Sequence, residues 1–154
     1  MVHITRYVKF ATSVEAHCNM ASYTIDSSVW VAALLTDETN HKRAYAFLTR
    51  AIQDNSSIII PVTIAVEVAM ALARRSEGAL AEKTLEFILA VPSIQFVELT
   101  YSRMIDVIQT ASPLKVRGMD AIVLAVAHEY GSQLVTLDKE LEQRAKNFVQ
   151  IAEF

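Results

Sequence analysis

The sequence predicts an α/β chain built of βαβ units around a mostly parallel sheet, and three observations carry that reading. Short apolar runs alternate with longer segments of helical spacing. Gly and Pro number only three each in 154 residues, so loops must be short and regular structure must dominate. Ser57–Pro61 holds three consecutive isoleucines, as a strand covered on both faces should.

Composition narrows the class further. Hydrophobic residues make up 53% and charged residues 20%, which excludes intrinsic disorder. A chain of this length buries about two-thirds of its unfolded surface and so supports one real core. Mean hydropathy is high at +0.29. Yet the longest stretch without Asp, Glu, Lys or Arg is Asn55 to Val66, twelve residues, short of the about 18 that span a membrane. The single Cys18 excludes an intrachain disulfide and a cysteine-based metal site. It suits a reducing compartment. Near the N-terminus Glu15 and His17 interrupt any apolar core behind Arg6 and Lys9, so a signal peptide is not expected and the location expected is the cytoplasm. Net charge is −3, so there is no general basic coat and any nucleic-acid contact must be local.

The elements follow in order. Residues 1–21 read as an extension of unassigned role, with Ile4, Tyr7, Val8 and Ala11 at helical spacing but no strong cap; Met20 could itself start translation. Tyr23–Ile25 is a short strand ending at Asp26, and Ser27 and Ser28 can cap a helix over Val29–Leu35. Thr39–Asp54 is amphipathic, with Ala44, Phe47, Leu48 and Ala51 on one face. Pro61 stops the isoleucine strand. Thr63 can cap a helix running to Arg75, which is apolar nearly all round and so predicted to be buried. Gly78–Ala90 is helical, Ile94–Leu99 a strand, Tyr101–Ala111 a helix and Ser112–Gly118 a loop. Met119–Tyr130 is a strongly apolar helix with Gly131 just past its end. Leu134–Leu137 is a strand ending at Asp138, Leu141–Lys146 is helical, and Phe148–Ile151 is a last strand.

Most of the acids stand among polar neighbours, as solvated acids should. Four do not. Asp26 closes the first strand, Glu67 interrupts Val62–Ala73, Asp120 precedes seven apolar residues, and Asp138 closes Leu134–Leu137. An isolated ionised carboxylate in such a frame costs several kcal/mol unless something compensates it. In open α/β sheets the carboxyl ends of strands and the following helix N-termini share one rim. All four acids can converge there. Converging carboxylates call for a cation, and acid oxygens without His or Cys select Mg²⁺ or Mn²⁺. Taken singly, Asp26 and Asp120 read equally as helix caps and Asp138 as a turn residue; Glu67 is the hardest to explain by local structure. Glu98 and Asp106 read as surface acids. Trp30 reads as core, and His41 as a structural or cap residue.

These segments resemble the PIN-domain family, in particular the small toxin-type (VapC-like) ribonucleases of toxin–antitoxin pairs. The residues that carry the resemblance are Ile25-Asp26-Ser27-Ser28, Pro61 to Val68 around Glu67, Arg117 to Ile122 around Asp120, and Leu134 to Leu141 around Asp138, with His41 and Ala44 in the second helix. It runs from about Tyr23 to Phe154, so residues 22–154 are expected to form a PIN-like nuclease domain behind the extension. The resemblance implies a three-layer α/β/α fold with a central, mostly parallel sheet. It also implies metal-dependent hydrolysis of RNA phosphodiester bonds, frequent homodimers and a cognate antitoxin. Asp26, Glu67, Asp120 and Asp138 match the metal-binding acids, and Ser28 and Thr136 match positions whose hydroxyls support that site.

The chemistry fits. One or two divalent ions neutralise the phosphodiester charge and acidify water, with one carboxylate accepting the proton. Asp26 is the expected central ligand. Lys115 and Arg117, just before Asp120, and Arg74 and Arg75, ending the helix that bears Glu67, are candidate phosphate contacts; Arg74 and Arg75 read first as partners of the helix C-terminus. The apolar residues of Val29–Leu35 and Thr39–Asp54, with Tyr7 or Phe10, are expected to form the antitoxin groove. Alternatives are a nuclease of the same fold with a housekeeping role in RNA processing, and a non-catalytic interaction module. The module would lack one of the acids, and none is lacking. A phosphatase would want a second Asp at Ser28, and a receiver domain an extra acid pair beside the first strand.

Overall fold

The computed structural model describes residues 21–75 and 79–154. The expected extension, apart from Ala21, and Gly78 at the start of the predicted fourth helix lie outside the described residues. The chain runs β1 (Ser22–Ile25), α1 (Ser27–Leu34), α2 (His41–Gln53), β2 (Ser57–Pro61), α3 (Val62–Arg75), α4 (Ala79–Ala90), β3 (Ile94–Val97) and α5 (Tyr101–Ala111). After a 3₁₀ turn at Ser112–Leu114 come α6 (Gly118–Tyr130), β4 (Gln133–Val135) and α7 (Lys139–Ala145).

The four strands are all parallel, in the order β3-β2-β1-β4. The chain thus steps outward from β1 through β2 to β3, then returns to the other side of β1. The order reverses between β1 and β4, which opens a crevice at their carboxyl ends. Helices flank the sheet in an α/β/α arrangement: α6 lies against β1, β2 and β4, while α1 packs on α2 and α3. The isoleucines of β2 explain why its faces cannot be left bare. Ile58 and Ile60 join the main core with Val29, Trp30 and Leu124, whereas Ile59 packs with Val97 and Val126. The extended apolar run therefore reports burial on both sides, as parallel strands require.

Several boundaries differ from expectation, each for a local reason. The cap of α1 is Asp26, whose side chain accepts from the Ser28 N–H, so the two serines fall inside the helix. Thr63 is the second residue of α3 and its buried hydroxyl finds no partner there. Helix α3 is not buried all round: Ile64, Val68 and Leu72 face the core, but Val66 is 62% and Met70 50% exposed. Among the described residues nothing covers its apolar outer face. Helix α1 buries Val29, Trp30, Ala32 and Ala33, and α2 buries Ala44, Leu48 and Ala51; of the groove expected on them, Val31 and Ala32 line one cavity of about 550 Å³ and Ala46, Phe47 and Ala51 another of about 620 Å³, while Tyr7 and Phe10 lie outside the described residues. Gly118 is already helical. The predicted last strand reduces to one bridge, Leu134 to Ile151, flanked by two backbone hydrogen bonds.

Gly131 ends α6 at φ 60, the left-handed region, with its N–H on the Ala127 and His128 carbonyls. A Cβ there would meet nothing within 4 Å. The cost of Gly131→Ala is therefore conformational only, about 1 kcal/mol, and thermal denaturation should show a midpoint about 2–4 °C lower.

Candidate active site at the carboxyl edge of the sheet

Asp26 follows β1 directly and is only 6% exposed. Its N–H continues the ladder onto the Val135 carbonyl at 2.9 Å, which fixes the backbone beside β4. Its Oδ2 accepts from the Ser28 hydroxyl at 2.6 Å, the Ser28 N–H at 3.4 Å and the Thr136 hydroxyl at 3.0 Å. Those hydroxyls do second duty: the Leu137 N–H donates to Ser28 Oγ at 3.1 Å, and the Asp138 N–H to Thr136 Oγ1 at 3.0 Å. Ser28 and Thr136 thus tie the end of β1 to the end of β4 and hold the Asp26 carboxylate in one orientation.

The other acids arrive from separate elements. Asp138 caps α7, its Oδ1 accepting from the Glu140 and Leu141 N–H groups at 2.8 and 3.1 Å. Glu67 projects from α3 and Asp120 from the first turn of α6. All four line one cavity of about 570 Å³ with Ser27, Ser28, Arg117, Gly118, Met119 and Ile122. Burial pushes the Glu67 carboxyl above its ordinary range; Ser27 pulls it back by hydrogen bonding, and Asp26 and Asp120 push it further up. Burial likewise raises Asp120, with Asp26 and Asp138 adding to the rise and the Arg117 N–H and guanidinium opposing it. Glu67 and Asp120 therefore each feel two of the other acids. Among the described residues no three acid, His or Cys side chains stand close enough together to hold an ion as they are placed. As placed, one oxygen of Asp26 accepts from Ser28 and Thr136, and one of Asp138 from the first N–H groups of α7. The donors are all oxygen and share a net charge that only protons or a cation offset, so the set fits a hard divalent ion.

The expected phosphate contacts divide. Lys115 and Arg117 line a smaller cavity of about 170 Å³ that shares Asp120 and Asp138 with the main one. Arg74 lines a cavity of about 550 Å³ that shares Ser27, Ser28 and Glu67. Arg75 is turned away: it pairs with Asp37 at 3.0 Å and with Glu38, closing the α1–α2 loop onto α3. His41 is structural, its Nδ1 on the Ala32 carbonyl at 3.0 Å. Trp30 is core, 1% exposed. Glu98 and Asp106 are exposed. Two residues of the site escaped the sequence reading. Ser27 touches Glu67, and Arg144 lines the small cavity; only the i, i+4 spacing from Glu140 hinted at the latter.

Comparison with known proteins agrees with this fold. The model of the PIN-domain family matches residues 23–147. No curated protein matches the chain in sequence. Among solved structures, VapC20 of Mycobacterium tuberculosis, described as a Sarcin-Ricin loop cleaving toxin, superposes with a TM-score of 0.66 at 19% identity, covering 85% of this chain and 99% of that one. VapBC2 of Rickettsia felis, bound to a promoter DNA fragment, gives 0.63 at 15% identity, with 84% and 96% covered. FitAcB of Neisseria gonorrhoeae gives 0.61 at 13%, with 85% and 96% covered. At these identities the likeness is one of fold.

Proposed function

The chain belongs to the PIN-domain family, and on that premise we propose that it is a metal-dependent endoribonuclease, the toxin of a type II toxin–antitoxin pair. The observation that carries the reading is the cavity at the β1/β4 switch point, where four acids from four elements meet and two of them are pushed toward neutrality. Asp26, Glu67, Asp120 and Asp138 would hold Mg²⁺ or Mn²⁺. When bound, the ion offsets the phosphodiester charge and supplies an acidified water. Asp26 is the central ligand, oriented by Ser28 and Thr136. Water oxygen attacks phosphorus, its proton passes to one of the four carboxylates, and the bond to the leaving oxygen breaks as that oxygen takes up a proton from solvent.

The likeness to VapC20 and VapBC2 supports the toxin role. The groove that shares Ser27, Ser28 and Glu67 with the acid cavity is walled by Val31, Val66, Met70 and Leu137. It suits an amphipathic antitoxin segment whose Arg or Lys reaches the acids. Tyr101, Met104, Ile105 and Ile108 leave an exposed apolar face on α5 that a homodimer would cover. No described helix is long and apolar enough to cross a membrane, and the proposed site of action is the cytoplasm. Expression of the chain alone should arrest growth, and co-expression of the neighbouring gene should relieve it. A wild type that cleaves RNA without slowing growth would move the role to housekeeping RNA processing.

A further inference from the structure

Beside the acids, Lys115, Arg117 and Arg144 line a cavity of about 170 Å³ together with Val116, Asp120, Asp138, Glu140 and Leu141. It is far smaller than the neighbouring cavities of about 570 and 550 Å³, with room for a phosphodiester group rather than for a base. Two features fix the backbone from which Lys115 extends. Lys115 sits in the left-handed region at φ 53, a conformation a lysine rarely adopts, directly after the 3₁₀ turn. Arg144 reaches from α7 to the Leu114 carbonyl at 3.3 Å and pins the residue before Lys115. Neither Lys115 nor Arg117 forms an ion pair with any described residue.

The charges in this cavity balance at first, three cations against Asp120, Asp138 and Glu140. Once the charge of Asp120 and Asp138 is offset, only Glu140 opposes three cations, and it is already shared with Arg144 at 2.8 Å. We propose that Lys115, Arg117 and Arg144 form a phosphate subsite that grips the substrate backbone next to the bond being cut, and that it gains its grip when the charge of Asp120 and Asp138 is offset. This rests on the nuclease reading of the acids and names residues that reading does not need. The contact is to backbone, so it carries no base preference.

The test is binding of short labelled single-stranded oligouridine and oligoadenine to the full chain in EDTA, over a series of salt concentrations. Asp120→Asn, which mimics the offset charge, should bind more tightly than wild type. Within that variant, Lys115→Gly and Arg117→Gln should each lower the slope of log K against log salt by about 0.7, the share of one phosphate contact on a single strand. The loss should be equal for both oligonucleotides. Lys115→Gly suits the left-handed backbone, so its loss cannot be put down to misfolding. Glu140→Gln should tighten binding, which a merely structural α7 ion pair would not do. Unchanged slopes with intact probe, or weaker binding by Glu140→Gln, overturn the subsite and leave the nuclease reading standing. Cleavage of the probe in EDTA overturns the metal-dependent reading instead.

Discussion

Asp26→Asn, Glu67→Gln, Asp120→Asn and Asp138→Asn should each remove most RNA cleavage, by about 100-fold or more, while the far-ultraviolet circular dichroism stays that of the wild type. The expectation follows from how the four are held. Each comes from a different element, yet all line one cavity. An amide keeps the shape of the carboxyl but takes away the charge that a cation or a proton needs. The fold should tolerate the change. Glu67 and Asp120 are only half-buried, and an amide oxygen at position 138 can still accept the Glu140 and Leu141 N–H groups that cap α7. Asp26 is the most demanding of the set, because one oxygen accepts three hydrogen bonds, so that variant is the one to check by thermal denaturation. EDTA should stop wild-type cleavage, and Mn²⁺ or Mg²⁺ should restore it. Glu98→Gln and Asp106→Asn, both exposed, serve as controls and should cleave normally. Robust cleavage of single-stranded RNA by purified, metal-free protein would sink the mechanism.

What could be read in the sequence was whatever a local pattern encodes. Ile58, Ile59 and Ile60 announced a strand covered on both faces, and Gly131 announced the end of α6. The four acids stood out because each broke an apolar run, which is a local anomaly even when its cause lies elsewhere. What could not be read depends on partners distant in the chain. Helix α3 looked apolar all round, but whether Val66 and Met70 are covered depends on where α1 and α4 pack. Arg75 looked like a phosphate contact because nothing near it in sequence reveals that Asp37 and Glu38 fold back to claim it. Arg144 carried no sign of its role, because its contact with Leu114 spans thirty positions. Serines at 27 and 28 seemed the natural caps of α1; Asp26 takes that place because its backbone is still extended, at φ −67 and ψ 153, when the first helical N–H groups need an acceptor. The same aspartate then serves both the helix and the site, a double use that spacing alone does not disclose.

Without metal, Asp120→Asn and Glu67→Gln should melt higher than the wild type at neutral pH, because the native chain assembles carboxylates that repel one another. Burial and the neighbouring acids raise the carboxyls of both residues in the folded state. A carboxyl raised on folding binds protons more readily in the native state than in the unfolded one, so stability falls as pH rises from the ordinary value through the raised one. Below the ordinary carboxyl range, about 4, both states are protonated and the penalty is absent; above the raised values it is present in full. The gap between variant and wild type should therefore close on acidification and open again toward neutrality. Asp26→Asn is expected to gain less, since an amide oxygen accepts from Ser28 and Thr136 more weakly than the carboxylate does. Metal should reverse the ranking. Binding to the native state alone contributes about 2.7 kcal/mol at 100 times the dissociation constant, or roughly 5–10 °C for a chain of this size, and the variants, one ligand short, should gain less. A thermal series in EDTA and in Mn²⁺ at acidic and neutral pH separates the terms. If both variants melt below the wild type in EDTA at neutral pH and Mn²⁺ shifts all three chains equally, the four acids do not share an ion.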